Sequence, residues 1–473
     1  MRILVFHSYL LRGTGSNIYN ANLVRALAEL GHEVHLFCQD PGWDAPEVSG
    51  SGSVTVHVPD IGRVLPVYVA DTYEGFDAKT YPELTDEELG HYLAVNVEAV
   101  RSAPPPDLAL ANHLVMGPVI LARAGVAPYA VKIHGSALEY TVKPHPERFL
   151  PYALEGIRPA RGVLVGSEHT ANSLFEALPG ESTLPDKTRL GPPGVDIHEF
   201  RPREPDLEQL ASRPAASWGG EQGSPEVLRE LDLSRDRIVS YVGKLIVSKG
   251  VDLLLAAWPL VVSRVPDARL VMVGFGTYHD ALVRFVEALA SRDLDALRDI
   301  AARGRELEGG PAGELRYLSA FLDRAGDEWL RAAPEAAARI HFTGRLEHDD
   351  LPLLLPACEA QVMPSTFPES FGMVAAEAAA CGALPLSANH SGMAEVTATL
   401  RPALPEHLRP LMSFDVGPDA VEEIGSKLVT WLELDPRERD EARAALASEA
   451  ARRYSWESVA EGVIQAASGQ SNG

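Results

Sequence analysis

Residues 363–377, MPSTFPESFGMVAAE, predict the end of a buried strand, an exit through Pro364 and Pro368, and a helix that starts near Glu369. A helix N-terminus beside a glycine exposes unpaired backbone N–H groups and the positive end of the helix dipole. Both favour a phosphate group. The stretch therefore predicts an anion site where a strand of an α/β sheet ends.

Two carboxylates flank this helix start. Glu369 and Glu377 are eight residues apart, which on an α-helix is slightly more than two turns. Both side chains would then face one cleft about 12 Å apart. Because a carboxylate accepts paired hydrogen bonds from adjacent sugar hydroxyls, the pair suggests sugar recognition beside a phosphate. Taken singly, Glu369 could instead stabilise a helix start, and Glu377 could be a solvated charge.

Patterns typical of strands and helices alternate on both sides of this stretch. The short apolar runs are 2–7, 33–38, 54–58, 107–111, 130–134 and 162–166, followed by 237–242, 269–274, 339–342, 360–363 and 383–386. Helical spacing lies between them, as at 17–30 and 251–265, and Thr85 with Glu88 forms a capping box for a helix over 85–100. The alternation predicts an α/β chain with two Rossmann-like, doubly wound parallel sheets.

A change in composition marks the domain boundary. Residues 202–225 are rich in Pro, Gly, Ser and Glu and lack a periodic apolar pattern, so we expect one domain over 1–201 and a second over 202–453. Residues 279–338 have a helical pattern that is too long for a plain connection between strands. They predict a helical insertion in the second domain.

Composition excludes several functional classes. The 473 residues carry a net charge of −24, which disfavours nucleic acid as a partner, and no apolar run approaches the roughly 20 residues of a membrane span. Cys38, Cys358 and Cys381 lie far apart, so neither a disulfide framework nor a four-ligand zinc site is expected. We expect a cytoplasmic protein without stable membrane insertion.

A second candidate site lies in Val242–Gly250, VGKLIVSKG, which follows a strand and precedes a helix. Lys244 and Lys249 could clamp a diphosphate from two sides in this loop after Gly243, and so neutralise charge that grows on a leaving group. Taken alone, they could equally be two solvated lysines on a turn.

A redox cofactor and a metal are both disfavoured. The loop with Gly13 and Gly15 follows the first strand, but a dinucleotide-binding G-x-G-x-x-G pattern would need glycine at Ile18. Asp293 and Asp295 form a D-x-D pair inside a helical pattern, where a solvated face explains them. We therefore expect no cofactor and no metal site.

The combined pattern resembles the retaining glycosyltransferases of family 4, which have the GT-B fold. It consists of E-S-F-G-x-x-x-x-E at 369–377, A-x-x-x-G-x-x-P at 378–385 and S-G-M-A-E at 391–395. The resemblance implies two Rossmann-like domains that face a cleft, with a last helix, about 454–467, returning to the first domain. It implies that Glu369 contacts the donor sugar, that Glu377 holds the nucleotide ribose, and that the intervening helix start binds the diphosphate. The residues of that start are Phe371, Gly372, Met373 and Val374, and Ser370 before them is a further candidate for donor binding.

Further roles follow from the same resemblance. Lys249 and Lys244 match the family's diphosphate-binding motif, although Lys244 replaces an arginine and loses its bidentate fork. His134, in His134-Gly135-Ser136, would face the donor sugar and the reaction centre. Independently of the resemblance, His113 ends a strand that would face the cleft and is a candidate acceptor contact. The remaining candidates for donor binding are Gly13 and Gly15 near the phosphates, Gly243, and Arg345 in the loop beside the nucleobase.

The expected function is transfer of a sugar from a nucleoside-diphosphate sugar to an unidentified sugar, lipid or small-molecule acceptor, with retention of configuration and without a metal. The competing hypotheses are a GT-B nucleotide-sugar epimerase, a phosphorylase, and a non-catalytic protein that binds sugar nucleotides. The presence of Glu369, Glu377, Lys249 and His134 argues against the last. The sequence leaves the donor base, the donor sugar and the oligomeric state open.

Overall fold

The structure is a computed structural model that describes residues 1–11, 15–40, 42–43, 51–68, 75–214 and 222–469. It divides into two compact units. The first comprises Met1–Gly194 and the segment from Tyr454 onwards, and the second comprises Val195–Arg453. The division falls seven residues before the boundary expected after residue 201. The Phe200 ring, 5.1 Å from that of His348, lies in the second unit.

The first unit contains a parallel sheet of seven strands and a separate two-stranded sheet. Its strands are β1 (Arg2–Phe6), β2 (Glu33–Phe37), β3 (Ser53–His57), β4 (Val64–Val67), β5 (Asp77–Thr80), β6 (Leu108–Asn112), β7 (Tyr129–Ile133), β8 (Gly162–Val165) and β9 (Thr188–Leu190). The large sheet has the order β3-β2-β1-β6-β7-β8-β9, and β4 pairs with β5. The six expected strands of this half are confirmed, whereas β4, β5 and β9 were not predicted.

Helices cover this sheet. They are α1 (Gly15–Glu29), α2 (Asp86–Ser102), α3 (Gly117–Ala124), α4 (Pro146–Ile157), α5 (Glu168–Ala177) and the short α6 (Leu184–Lys187). The capping box expected at α2 is confirmed, since the Glu88 N–H donates to Thr85 Oγ1 at 3.1 Å and the Thr85 N–H donates to Glu88 Oε2 at 2.8 Å.

The second unit is built on a parallel sheet with the order β12-β11-β10-β13-β14-β15. Its strands are β10 (Arg237–Val242), β11 (Ala268–Val273), β12 (Ile340–Gly344), β13 (Cys358–Met363), β14 (Leu384–Ala388) and β15 (Ser413–Phe414). In both sheets the strand order reverses once, between β1 and β6 and between β10 and β13. Ligands of such doubly wound sheets bind outside the carboxyl ends of the strands at this switch point.

The helices of the second unit include one inside the expected linker. They are α7 (Leu207–Ala211), α8 (Val251–Val262), α9 (His279–Ser291), α10 (Leu294–Arg303), α11 (Arg316–Leu322), α12 (Asp327–Ala337), α13 (Leu351–Leu354), α14 (Met373–Ala380), α15 (Ser391–Leu400), α16 (Ala420–Leu432) and α17 (Pro436–Tyr454). Helix α7 buries Leu207, Leu210 and Ala211, so this part of the linker is packed rather than irregular.

The region expected as a helical insertion is helical, but it is integrated into the unit. Helix α12 packs against α8 and α9, and Trp329 donates its Nε1–H to the carbonyl of Ala256 in α8 at 2.8 Å. Helix α8 also packs against α16 and β11, so it is buried on almost every face. This burial explains its nearly continuous apolar sequence. Asp293 caps α10 by accepting the Ala296 N–H at 2.9 Å.

A final helix, α18 (Trp456–Ser468), belongs to the first unit. It packs against α1 and against β6, β7 and β8, with the Trp456 ring edge-on to Tyr19 at 5.4 Å. Within the described ranges, none of the helices has both the length and the apolar character needed to cross a bilayer.

Candidate active site

The loop after β10 makes a sharp turn that carries Lys249. Residues Val247–Lys249 form one turn of 3-10 helix, and Gly250 then takes a φ of +61° to open α8. A Cβ at Gly250 would overlap the Pro364 carbonyl, so only glycine allows this approach. The turn therefore lies directly against the loop that follows β13.

Hydrogen bonds join these two loops. The Ser248 carbonyl accepts from the Thr366 N–H at 2.9 Å and from Ser365 Oγ at 3.1 Å. Because β10 and β13 flank the switch point of the sheet, the contact brings the lysine loop and the Glu369 loop together at the edge where a ligand is expected.

Glu369 is held from several directions. Its Oε1 accepts from Lys249 Nζ and, at 2.8 Å, from Ser365 Oγ. Its N–H donates to Ser391 Oγ at 2.9 Å, and its carbonyl accepts the Gly392 N–H at 2.9 Å. A Cβ on Gly392 would lie 2.5 Å from Phe371 Cα, so this glycine allows the first turn of α15 to approach the Glu369 loop closely.

Helix α14 starts later than the sequence suggested. It begins at Met373, preceded by Gly372 with a φ of +133°, so Glu369 lies in the loop and the two carboxylates do not share one helix face. Its N-cap residue, Gly372, has no side chain that could cap the helix, and the first turn contains no acidic residue. The N–H groups of Met373 and Val374 therefore lie at a helix end whose positive dipole is not compensated by a cap.

Glu377 is buried, with 2% of its surface exposed, and its Oε1 lies 2.9 Å from His348 Nε2. Burial alone would lower the pKa of His348, but the hydrogen bond and charge of Glu377, with the charges of Asp349 and Asp196, raise it above its usual value. His348 was not identified from the sequence, because no motif connects it to a carboxylate 29 residues away.

The remaining donor-side candidates lie in the same unit. Lys244 is exposed and has no ion-pair partner among the described residues, while its carbonyl accepts from Tyr241 at 2.8 Å beside Gly243. Arg345 follows β12, where its guanidinium lies 3.1 Å from Glu347 and 5.6 Å from the Phe275 ring centroid. Ser370 is exposed and Phe371 partly exposed. These residues all lie at the carboxyl ends of β10, β12 and β13.

The first unit brings three histidines together at the corresponding edge of its sheet. His7, His113 and His134 follow β1, β6 and β7, with ring centroids 6.1 Å apart for His7 and His113 and 4.8 Å for His113 and His134. Burial holds the pKa of His113 and of His134 well below the usual value, so both rings are neutral. His7 was not predicted. Gly15 opens α1, and Gly13 lies outside the described residues.

Comparisons with known proteins show the family to which the chain belongs. A family model described as "Glycosyl transferase 4-like domain" matches residues 14–183, and one described as "Glycosyl transferases group 1" matches residues 330–401, which include Arg345, Glu369 and Glu377. The chain is 26% identical over 396 residues to a D-inositol 3-phosphate glycosyltransferase of Salinispora tropica, covering 80% of this chain and 67% of that protein. The chain is a family 4 glycosyltransferase.

Solved structures show that this glycosyltransferase has the GT-B fold. It is similar to the sucrose-phosphate synthase of Thermosynechococcus elongatus, with a TM-score of 0.59 and 19% identity over 98% of this chain and 97% of that one. It is also similar to Anabaena HepE in complex with UDP-glucose, with a TM-score of 0.58 and 18% identity over 99% of both chains.

The part of the glycosyltransferase that the structure describes contains no group of three or more His, Cys, Asp or Glu side chains that could hold a metal ion. Positive charge at the candidate site includes that of Lys244, of Lys249 and of the start of α14.

Proposed function

We propose that this glycosyltransferase transfers a sugar from a nucleoside-diphosphate sugar to a sugar, lipid or small-molecule acceptor, with retention of configuration at the anomeric carbon. One observation carries the proposal. Lys249, the carboxylate of Glu369 and the uncapped start of α14 lie together at the switch point of the second sheet. The positive charge of Lys249 and the helix dipole of α14 favour binding of a diphosphate. The adjacent carboxylate of Glu369 can accept hydrogen bonds from sugar hydroxyls. The UDP-glucose held by the similar Anabaena HepE is in keeping with such a donor.

Each residue has a proposed role in this reaction. Lys244, Lys249 and the N–H groups of residues 371–374 hold the diphosphate, while Glu369 orients the donor sugar. Glu377, fixed by His348, holds the ribose, and the loop of Arg345 lies beside the base. Gly13, Gly15, Gly243 and Ser370 would contact the donor, His134 the donor sugar, and His113 the acceptor.

The proposed chemistry needs no metal and no enzyme nucleophile. The acceptor oxygen forms a bond to the anomeric carbon while the bond from that carbon to the diphosphate oxygen breaks, on the same face of the sugar. The acceptor proton passes to the departing diphosphate oxygen. Lysines and helix N–H groups stabilise the negative charge that develops on the diphosphate. Lys244 supplies a point charge where a guanidinium would supply two parallel donors.

We further propose that the enzyme works in the cytoplasm. Cys38, Cys358 and Cys381 are free and buried, and burial raises the pKa of the Cys38 thiol to about 11 and that of the Cys358 thiol to about 12. Free thiols are typical of a reducing compartment.

Thermal-shift measurements with uridine, guanosine and adenosine diphosphates test the donor site. A ligand at a hundred times its dissociation constant stabilises the folded state by about 2.7 kcal/mol, so at least one diphosphate should raise the melting temperature. Lys249→Met should abolish that shift. Lys79→Met, which removes a lysine paired with Glu88 in the other unit, should leave it unchanged. No shift with any diphosphate would refute the proposal.

An assay of diphosphate release tests the transfer step. The screen identifies the nucleoside diphosphate, and sugar donors that contain it are then assayed. Release of the diphosphate from such a donor should depend on an added acceptor. Conversion of the donor without an acceptor would instead identify an epimerase, and binding without release in the presence of a broad acceptor panel would identify a non-catalytic protein.

A further inference from the structure

A buried hydrogen-bond relay in the first unit ends on His134. His7, Asn20 and Asn112 have no exposed surface and form a continuous line across the carboxyl ends of β1 and β6. The line runs from His7 Nδ1 to Asn20 Nδ2, from Asn20 Oδ1 to Asn112 Nδ2, and from Asn112 Oδ1 to His134 Nε2. The distances of these three hydrogen bonds are 2.9, 2.7 and 2.7 Å.

Backbone carbonyls fix the direction of the first part of the relay. The Leu10 carbonyl lies 3.1 Å from His7 Nε2 and can only accept, so Nε2 carries the proton. Burial lowers the pKa of His7 to about 4, so the ring is neutral and Nδ1 is an acceptor. Asn20 therefore presents its NH₂ group to His7, which agrees with the bond of 2.8 Å from Asn20 Nδ2 to the Ser16 carbonyl.

A further carbonyl fixes the second part independently. Asn112 Nδ2 donates to the Phe6 carbonyl at 3.1 Å and to Asn20 Oδ1. The oxygen of Asn112 is then the atom that faces His134, and an amide oxygen can only accept. The proton of the hydrogen bond between Asn112 and His134 must come from His134 Nε2. Rotating either amide would place a donor against a donor or an acceptor against a carbonyl.

We propose that the relay from His7 through Asn20 and Asn112 holds His134 as its neutral Nε2–H tautomer, so that the group His134 offers to a substrate is the Nδ1 lone pair. Nδ1 makes no hydrogen bond to any described residue. Asn112, Asn20 and His7 are positioning residues that act through His134.

The assignment predicts what His134 recognises, and this part rests on the proposed function. A neutral ring with a free Nδ1 lone pair accepts a hydrogen from a sugar hydroxyl and repels a carboxylate or phosphate oxygen. The environment preserves this state, since burial disfavours the imidazolium and any positive charge on His113, Lys132 or His7 would disfavour it further. The tautomer itself does not depend on the function of the protein.

Nitrogen NMR of the full-length protein labelled with ¹⁵N-histidine tests the tautomer directly. The His134 signals are assigned by their loss in His134→Gln. Without any substrate at neutral pH, Nε2 should show the shift of a protonated ring nitrogen and Nδ1 that of an unprotonated one. A protonated Nδ1, or averaged shifts that indicate a mixture of tautomers, would overturn the assignment whether or not the protein transfers sugars.

Asn112→Asp tests the positioning role. The aspartate keeps an acceptor for His134 Nε2 but loses both N–H donations and adds a negative charge, so the imidazolium should become stable at neutral pH. Titration followed by NMR should then show both ring nitrogens of His134 protonated at a higher pH than in the wild type. With the donor found in the diphosphate screen, kcat should fall at least about tenfold while KM changes less.

Asn96→Asp is the matched control. Asn96 is also buried in the first unit, and its Nδ2 donates to the Tyr92 carbonyl at 2.8 Å, outside the relay. This variant should leave the titration of His134 unchanged. If Asn112→Asp and Asn96→Asp gave the same His134 titration, Asn112 would not position His134. If Asn112→Asp failed to fold, the spectrum of the wild type would still decide the tautomer.

Discussion

Two carboxylates that look alike in sequence have different surroundings in the structure. Glu369 is partly exposed and is shared between Lys249 and Ser365, whereas Glu377 is buried against His348. A group that holds the ribose makes the same contacts in the bound donor and in the transition state. A group beside the anomeric carbon faces a charge distribution that changes during the reaction.

We therefore expect the two alanine variants to differ kinetically. Glu377→Ala should mainly raise the KM of the donor. Glu369→Ala should lower kcat at least about 10²-fold, or roughly 2.7 kcal/mol, with little change in affinity for the free diphosphate. Steady-state kinetics and calorimetric titration of the diphosphate measure both effects. Near-normal turnover in Glu369→Ala, or loss of diphosphate binding as severe as in Glu377→Ala, would contradict the assignment of sugar and ribose.

Lys132 predicts a dependence of stability on pH. It is 2% exposed, donates to the Gly191 carbonyl and lies 5.1 Å from the Tyr19 ring centroid, and burial lowers its pKa from 10.5 to about 7. Between these values the unfolded chain binds more protons than the folded one, so stability should rise with pH from about 7 to 10.5 and lose this dependence below 7.

Lys132→Met should remove that slope. The variant should be more stable than the wild type at pH 7, by about 1.4 kcal/mol for each pKa unit between the folded and unfolded states, and the difference should shrink as the pH rises. Hydrogen exchange of the β7 amides reports on the first unit by itself. If stability depended on pH in the same way in the wild type and in Lys132→Met, the prediction would be wrong. Lys79→Met, which changes a more exposed lysine, serves as the control.

At the scale of elements, residues 279–338 contact the loop that carries Lys249, a part of the proposed donor site. Glu308, in the 3-10 turn Arg305–Glu308 after α10, accepts the Val247 N–H on Oε2 at 2.8 Å. The turn Val247–Lys249 has no side-chain cap of its own. Glu308 thus performs the task of an N-terminal cap from another part of the chain and fixes the turn that carries Lys249.

Removing this carboxylate should impair donor binding. We expect Glu308→Ala to lower kcat/KM for the donor by about tenfold, equivalent to about 1.4 kcal/mol. Glu308→Gln should retain most of the activity because its amide oxygen can still accept the Val247 N–H. Glu306→Ala is the control, since Glu306 is two residues away and pairs with Arg303 instead. Equal losses in Glu308→Ala and Glu306→Ala would show that the contact with Val247 has no role.

The sequence predicted the long strands well, because β1, β2, β6, β10 and β13 are buried apolar runs bounded by turn residues. Strands β9 and β15 have only three and two residues and give no periodic signal. The start of α14 was placed too early, since Gly372 adopts a φ of +133° that no helix contains. The partners of Glu377 and of His134 could not be predicted, because strand order alone brings His348 and Asn112 to them.

For the whole molecule, a net charge of −24 means that an anionic donor must be neutralised locally. Lys244, Lys249 and the start of α14 provide that positive potential in the proposed site, so turnover should persist in excess EDTA. Assays with chelator, and with Mg²⁺ or Mn²⁺ added back, measure this directly. If EDTA abolished activity and Mg²⁺ or Mn²⁺ restored it, a divalent cation would be needed to neutralise the diphosphate, and the prediction would be wrong.

The position of α18 also affects how the protein is made. Trp456–Ser468 completes the core around Tyr19 in the first unit, yet the ribosome synthesises it only after all of Val195–Arg453. Translation proceeds at about 5–20 residues per second, so many seconds pass between synthesis of the first sheet and synthesis of α18. The second unit is continuous in sequence and can finish folding earlier, so the half of the enzyme that is translated first is the half that matures last.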